Sequence, residues 1–217
     1  MSKILLILIS LVIFAAAAAA QTGDKYKKAE FFAGYSNGQI DTGPEPVLGF
    51  DDLVDERETF NGFNVAGVYN IRRYVGLKAD VSGHFKSQQF HLPFPNGTGT
   101  PVIGSFDTDS SLYNFLGGIQ VKNNSTGRSV KPFAHALVGV GVNRIKVTNA
   151  SCPAPANCTA IVGSASDRGL AAAFGGGVDI RLNGHIDFRV VQVDYNPVRI
   201  DGGTQQNFRF SIGLVFR

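Results

Sequence analysis

The sequence predicts an all-β fold: an eight-stranded antiparallel up-and-down β-barrel. Three observations lead to this prediction. The chain begins with an export signal, apolar and polar residues alternate in eight segments, and the links between those segments are long and short in turn. With 217 residues, the chain has the length of one domain.

The N-terminus has the pattern of a secretory signal peptide. Lys3 precedes an apolar run over Ile4–Phe14, and small residues fill Ala15–Ala20, which predicts cleavage after Ala20. The alternative is a retained transmembrane helix, since the apolar stretch is about long enough to span a bilayer. The stretch ends in alanines without a basic stop, however. We therefore divide the chain into a signal peptide, residues 1–20, and a barrel domain, residues 21–217.

Charge and cysteine content narrow the possible partners. The formal net charge is +3, and removal of Lys3 with the signal peptide lowers it to +2, which is too weak to indicate a nucleic-acid partner. The two cysteines, Cys152 and Cys158, lie six residues apart in an exported chain, so we expect them to form a small disulfide loop. A metal site needs more ligands than this stretch offers. No cofactor is predicted.

Alternation is clearest over Tyr74–Phe85, where one face carries Val75, Leu77 and Val81 and the other carries charged or polar residues. Most segments have the ten or so residues that a tilted strand needs to cross a bilayer. The other predicted strands are Lys28–Ser36, Phe60–Asn70, Leu112–Lys122, Lys131–Arg144, Arg168–Leu182, His185–Tyr195 and Gln206–Arg217.

The links between the strands favour a membrane barrel. Long polar links follow the odd-numbered strands and short ones follow the second, fourth and sixth, and Asn183-Gly184 predicts a type I′ hairpin turn. Such an alternation is typical of barrels with long extracellular loops and short periplasmic turns. An even strand number then puts both chain ends on the periplasmic side.

The pattern resembles the family of small outer-membrane β-barrel proteins, the OmpA/OmpX type. The similar pieces are Lys131–Val142, with its Pro-aromatic start and alternating glycines, Phe188–Tyr195, and the last strand. In the last strand Phe208, Phe210, Ile212, Leu214 and Phe216 resemble the C-terminal signal that the barrel-assembly machinery reads. The family usually ends on an aromatic residue, whereas this chain ends on Arg217, which puts the efficiency of assembly in question.

If the apolar faces meet lipid, the opposite faces line the lumen. Strand seven keeps this pattern only with a β-bulge near Val190 and Val191, which turns Gln192 and Asp194 inward. The lumen then holds closely balanced charges that should pair, because an unpaired buried charge is costly. We expect a plugged lumen with a charge network of Glu30, Lys78, Asp80, Lys122, Asp179, Arg181, Asp187, Arg189, Asp194 and Arg209.

No enzyme signature is present. Asp80, Ser82 and His84 are the nearest approach to a catalytic triad, but residues two apart on a strand lie about 7 Å from each other, too far for a hydrogen bond. We predict no catalytic, cofactor or metal site.

The predicted function is therefore structural and interactive, at the cell outer membrane. Loops Asp41–Glu58, Ser87–Asp109 and Lys146–Ser166 would carry recognition of a surface ligand. Other expected partners are outer-membrane lipids, lipopolysaccharide and the barrel-assembly machinery, and we expect a monomer. Two alternatives remain: a narrow porin-like channel for ions or small solutes, and a soluble periplasmic lipocalin-like carrier with its apolar faces turned inward.

Overall fold

The computed structural model describes residues 26–41, 57–94, 102–125, 127–151, 162–200 and 203–217. These residues form eight β-strands: β1 (Ala29–Asp41), β2 (Arg57–Asn70), β3 (Val75–Phe94), β4 (Val102–Lys122), β5 (Val130–Ser151), β6 (Gly163–Arg181), β7 (Ile186–Ile200) and β8 (Gly203–Phe216). The predicted signal peptide and the predicted disulfide, Cys152 to Cys158, lie outside the described residues. Over the described ranges, no helix is long and apolar enough to cross a membrane.

The eight strands form one closed antiparallel barrel in chain order, which confirms the predicted fold. Closure is made by β1 and β8, which pair from Phe31 opposite Phe216 to Gln39 opposite Phe208. Each strand therefore has a hydrogen-bonded neighbour on both sides. That is the condition for crossing hydrocarbon, where no water is present to satisfy backbone groups.

Both described chain ends lie on the side of the short turns. Tyr26 forms a bridge with Ser125, in the turn between β4 and β5, and the amide of Arg217 donates to the carbonyl of His185, in the turn between β6 and β7. The second of these turns differs from the prediction. Asn183 does not have the positive φ that a type I′ turn needs. Instead, its Oδ1 accepts hydrogen bonds from the amides of His185 and Ile186, both at 2.8 Å.

The strands are of unequal length, and this corrects the predicted loops. β3, β4, β5 and β6 have 20, 21, 22 and 19 residues, whereas β1, β2, β7 and β8 have 13 to 15. Most of Ser87–Asp109 is strand, because β3 and β4 stay paired up to Phe94 opposite Val102. Lys146–Ser166 likewise begins and ends in paired strand. The four central strands thus extend beyond the rest of the barrel on the loop side.

Apolar side chains point away from the barrel axis. Phe115, Val138 and Leu170 are 52%, 57% and 63% exposed, and water-soluble monomers rarely expose a continuous apolar surface of this kind. The opposite face carries charge, since Lys78 and Asp80 are buried inside. The soluble-carrier alternative, which requires the reverse arrangement, is therefore wrong.

Exposed aromatic side chains mark both ends of the apolar band: Tyr69, Tyr74 and Phe216 at the turn side, and Tyr35, Phe63 and Phe85 at the loop side.

The predicted bulge in β7 is present. The register between β7 and β8 shifts between Arg189 and Gln192, and both Val190 and Val191 face outward. Beyond the bulge, Gln192 and Asp194 are fully buried inside the barrel. Two valines side by side on the lipid face thus allow charged residues on either side of them to point inward.

Deleting Val191 should be tolerated. Without it a single outward residue, Val190, separates Arg189 from Gln192, so β7 alternates regularly and its charged residues stay inside. We expect the deletion variant to keep the heat-modifiable band that marks a folded barrel on a gel after refolding into lipid vesicles. Deleting Val193, the control, makes Gln192 and Asp194 adjacent, so one of them must face lipid and the band should be weakened or lost. Loss of the band in the Val191 deletion alone would contradict the assigned bulge.

Candidate functional site: the charged interior of the barrel

The interior holds two clusters of ion pairs, and Arg209 of β8 is the centre of the first. Its Nη1 donates to Oδ1 of Asp80 on β3 at 2.6 Å, and its Nε donates to Oδ2 of Asp194 on β7 at 2.8 Å. All three side chains are almost completely buried. A single guanidinium thus connects β3 and β7 across the lumen, with the charge-assisted, forked geometry that makes arginine–carboxylate pairs strong.

Two further residues complete this central cluster. Lys78 Nζ lies 3.4 Å from Asp80 Oδ2 and 3.3 Å from Nδ1 of His135, and Nε2 of His135 lies 2.9 Å from Asp194 Oδ1. The Asp194 carboxylate packs against the backbone of β6 at Gly175, which lies opposite it. Glycine is required there because a Cβ would collide with the carboxylate. We call Lys78, Asp80, His135, Asp194 and Arg209 the central cluster.

The second cluster lies nearer the short turns. Lys122 Nζ donates to Glu30 Oε2 at 2.6 Å and to Asp179 Oδ2 at 2.7 Å, so one ammonium joins β1, β4 and β6. Arg189 Nε donates to Asp179 Oδ1 at 2.8 Å. Lys131 Nζ donates to Asp187 Oδ2 at 2.9 Å.

Arg217 completes this turn-side cluster. Its guanidinium lies 3.0 Å from Glu30 Oε1 on β1 and 2.9 Å from Asp187 Oδ2 on β7. The side chain is buried, and it continues the inward alternation of Arg209 and Val215 on β8. We define the turn-side cluster as Glu30, Lys122, Lys131, Asp179, Asp187, Arg189 and Arg217. The residue that departs from the family's aromatic ending is therefore an ion-pairing residue of the lumen.

Gln192 joins the two clusters. Its Oε1 accepts from Arg189 Nη1 at 2.7 Å, and its Nε2 donates to Asp194 Oδ2 at 2.6 Å. The contacts therefore run without interruption from Arg217 at the turn side to Asp80 and Arg209.

Aromatic rings pack inside the barrel as well, which the sequence analysis did not predict. The Arg189 guanidinium carbon lies 4.3 Å from the centre of the Phe32 ring and 4.1 Å from that of Phe133. Both positions favour cation–π attraction, which is strongest where water is excluded. Arg189 is thereby held by its carboxylate and by two rings.

The ten residues of the predicted charge network have the following positions. Nine are buried inside the barrel, and Arg181 is half-buried at its turn-side rim. The prediction missed Lys131 and Arg217, so the buried charged groups among the described residues are six bases and five acids. Lys131 lies four residues before His135 on β5, so the alternation that places His135 inward also places Lys131 inward. The sequence pattern could therefore have identified it.

The predicted assembly signal faces the other way. Phe210, Ile212, Leu214 and Phe216 all point outward, with Phe208 half-buried on the same face. These side chains would meet lipid, and their reading by an assembly machinery stays a prediction.

The serine that lies beside His84 is Ser36, and not Ser82, which the sequence suggested. Ser36 Oγ lies 2.9 Å from His84 Nε2 and 3.0 Å from Ser211 Oγ, all buried. Asp80, the acid considered for a triad, instead pairs with Arg209. His84 makes no ion pair with a carboxylate among the described residues, so the arrangement lacks the group that would orient a catalytic base.

A cleft of about 260 Å³ opens at the loop-side mouth. Its lining includes Ile40, Phe60 and Leu112, which form a buried apolar cluster. Glu58 lies at its side, where it pairs with Lys86 at 3.1 Å. In the described part of the chain, no group of three or more His, Cys, Asp or Glu residues could hold a metal ion.

Comparison with known proteins identifies the family. Residues 6–216 match the model of the outer membrane protein beta-barrel domain, and the chain belongs to this family. The resemblance found in the sequence is thus confirmed, and the outer membrane is the protein's location.

The fold is similar to solved outer-membrane barrels. Ail, the attachment invasion locus protein of Yersinia pestis, is 15% identical, with a TM-score of 0.53, and the alignment covers 87% of this chain and 97% of Ail. Neisserial surface protein A is 12% identical, with a TM-score of 0.51, and the alignment covers 89% of this chain and 99% of that one. Ail has also been solved in complex with the heparin analogue sucrose octasulfate. The comparison with curated proteins gave no match.

Replacing Arg209 should destabilise the barrel strongly. Arg209→Met leaves two buried carboxylates without their shared guanidinium, and removing one partner of a buried pair costs about 3–5 kcal/mol. We expect the free energy of unfolding, measured by urea titration in lipid vesicles, to fall by that amount.

A compensated variant tests the cause of this loss. Arg209→Met combined with Asp194→Asn removes one of the two carboxylates left without Arg209, while Asp80 keeps Lys78 as its partner, so most of the lost stability should return. Equal stability of Arg209→Met and the wild type would show that the central cluster does not stabilise the fold.

Proposed function

We propose that this outer-membrane protein is a barrel closed by its own side chains, whose task is to present a recognition surface outside the cell. The observation that carries the proposal is the uninterrupted run of ion pairs and hydrogen bonds across the interior. In a barrel of eight strands the interior is only wide enough for its side chains to fill. Recognition would then belong to the strand extensions and loops rather than to the lumen.

The central cluster argues against easy passage of solutes. Arg209 touches Asp80 on one side of the lumen and Asp194 on the other, and Lys78 and His135 occupy the space beside them. An ion that crosses must separate these pairs, and each separated buried charge costs several kcal/mol. A narrow channel remains the competing function, and it would require these side chains to rearrange.

The loop side favours a role in recognition. β3 continues for nine residues past Phe85, which is the last of its residues to pair with β2, and this is about 30 Å of strand. β4 and β5 pair over the same region, which makes a rigid support for the connecting segments. Binding residues often lie on loops that a rigid scaffold positions. Residues 95–101, between β3 and β4, and 152–161, between β5 and β6, lie outside the described ranges.

Conductance measurement separates the closed barrel from the channel. We expect the purified protein to give no steady discrete current steps in a planar lipid bilayer, because the paired charges fill the lumen. Incorporation is checked by the heat-modifiable band of the same sample. Reproducible steps from the wild-type protein would favour the channel over the closed barrel.

Loop replacement tests the recognition role. We expect a variant with residues 95–101 and 152–161 replaced by short Gly-Ser links to keep its folded band, because the paired strands below are unchanged. Bacteria that display this variant should adhere to epithelial cells less than bacteria with the wild type. The control replaces the turn Asn123–Ser129 on the opposite side. Unchanged adhesion in the loop variant would oppose a recognition role for these loops.

A further inference from the structure

Three arginines stand on the outward face of β5, β6 and β7, just past the apolar band. Arg144, Arg168 and Arg199 are all exposed. Each stands one outward position beyond an apolar residue of its own strand, respectively Val142, Leu170 and Pro197. All three therefore lie at the loop-side boundary of the lipid-facing surface.

The register arranges the three arginines on one diagonal. Arg144 lies opposite Ser166, so Arg168 is displaced from it by two residues along β6. Arg199 lies opposite Leu170, again two residues from Arg168. Diagonal neighbours of this kind are about 7–8 Å apart. Because barrel strands tilt by about 35–45°, positions at equal depth in a membrane lie on diagonals.

No acid among the described residues forms an ion pair with this diagonal. The partners directly across from the three arginines are neutral, namely Ser111, Ser166, Val142, Leu170 and Thr204. None of the three guanidiniums forms a salt bridge with a residue in the described ranges. The outward acids of the adjacent strand, Asp107 and Asp109, accept hydrogen bonds from Asn149 and Ser87.

We propose that Arg144, Arg168 and Arg199 bind the phosphate groups of lipopolysaccharide in the outer leaflet. A guanidinium presents a planar fork that matches phosphate in bidentate fashion. The diagonal spans about 15 Å over its two steps, too far for one phosphate. It suits lipid A, whose disaccharide carries a phosphate at each end. The acyl chains of the same lipid would lie on the exposed apolar surface below, which includes Val140, Leu170 and Phe174.

The test measures binding of fluorescent lipid A to the purified full-length protein in detergent micelles. The triple variant R144Q/R168Q/R199Q should bind at least about tenfold more weakly than the wild type, since three charge-assisted contacts are lost. The control R72Q/R73Q/R128Q removes the same charge from exposed positions in the short turns and should bind like the wild type. Lipid A stripped of both phosphates should not distinguish the variants.

Three results would overturn the proposal: equal binding by the two triple variants, equal competition by phosphatidylglycerol and lipid A, or a difference that persists without the phosphates. Each barrel is checked for its heat-modifiable band before binding is measured. If the triple variant does not fold, R168Q alone, at the middle of the diagonal, carries the test. We then expect a loss of about threefold or more, and no loss would overturn the proposal.

Discussion

The closed hydrogen-bonded ladder is the constraint on which the rest of the structure depends. A bilayer offers no partner for a backbone N–H or C=O group, so all eight strands must pair on both sides, and β1 must meet β8. Closure fixes the register, and register decides which side chain faces lipid and which faces inward. The bulge at Val190 and Val191 shows how strict this requirement is. One strand accepts a local irregularity so that Arg189 and Asp194 can both lie inside.

The interior follows from the same constraint. Side chains on the inward face have no access to lipid and little space, so their charges must compensate one another. Lys122 forms ion pairs with both Glu30 and Asp179. Arg209 likewise pairs with both Asp80 and Asp194. Such buried pairs contribute little net stability compared with well-packed apolar groups. Their effect here is to disfavour alternative registers, because a slipped strand would separate several pairs at once.

The sequence predicted the strand number, the two faces and the bulge because these depend on neighbours along the chain. It could not predict contacts across the lumen, which join strands distant in sequence, such as that of Arg217 with Glu30. Nor did it reveal the full length of β3 and β4. In their extensions polar residues such as Ser87 and Asp109 face outward, and apolar residues such as Phe90 face inward. This reverses the lipid-facing pattern from which the strands were assigned, although the backbones stay paired. Phe32 and Phe133 were missed because apolar residues were assigned to the lipid side.

The unequal strand lengths give the molecule a front and a back. Because β3 to β6 continue beyond the membrane while β7, β8, β1 and β2 stop close to it, the exposed part is a wall along one half of the rim. A molecule that approaches over the short strands β7, β8, β1 and β2 would meet the inward side of this wall, where the rings of Phe90 and Phe106 stack 5.4 Å apart. A molecule that approaches from the side of the long strands β3 to β6 would meet the polar outer side of the wall. If the loops recognise a partner as proposed, rotation of the barrel about the membrane normal would determine which side of this wall the partner meets.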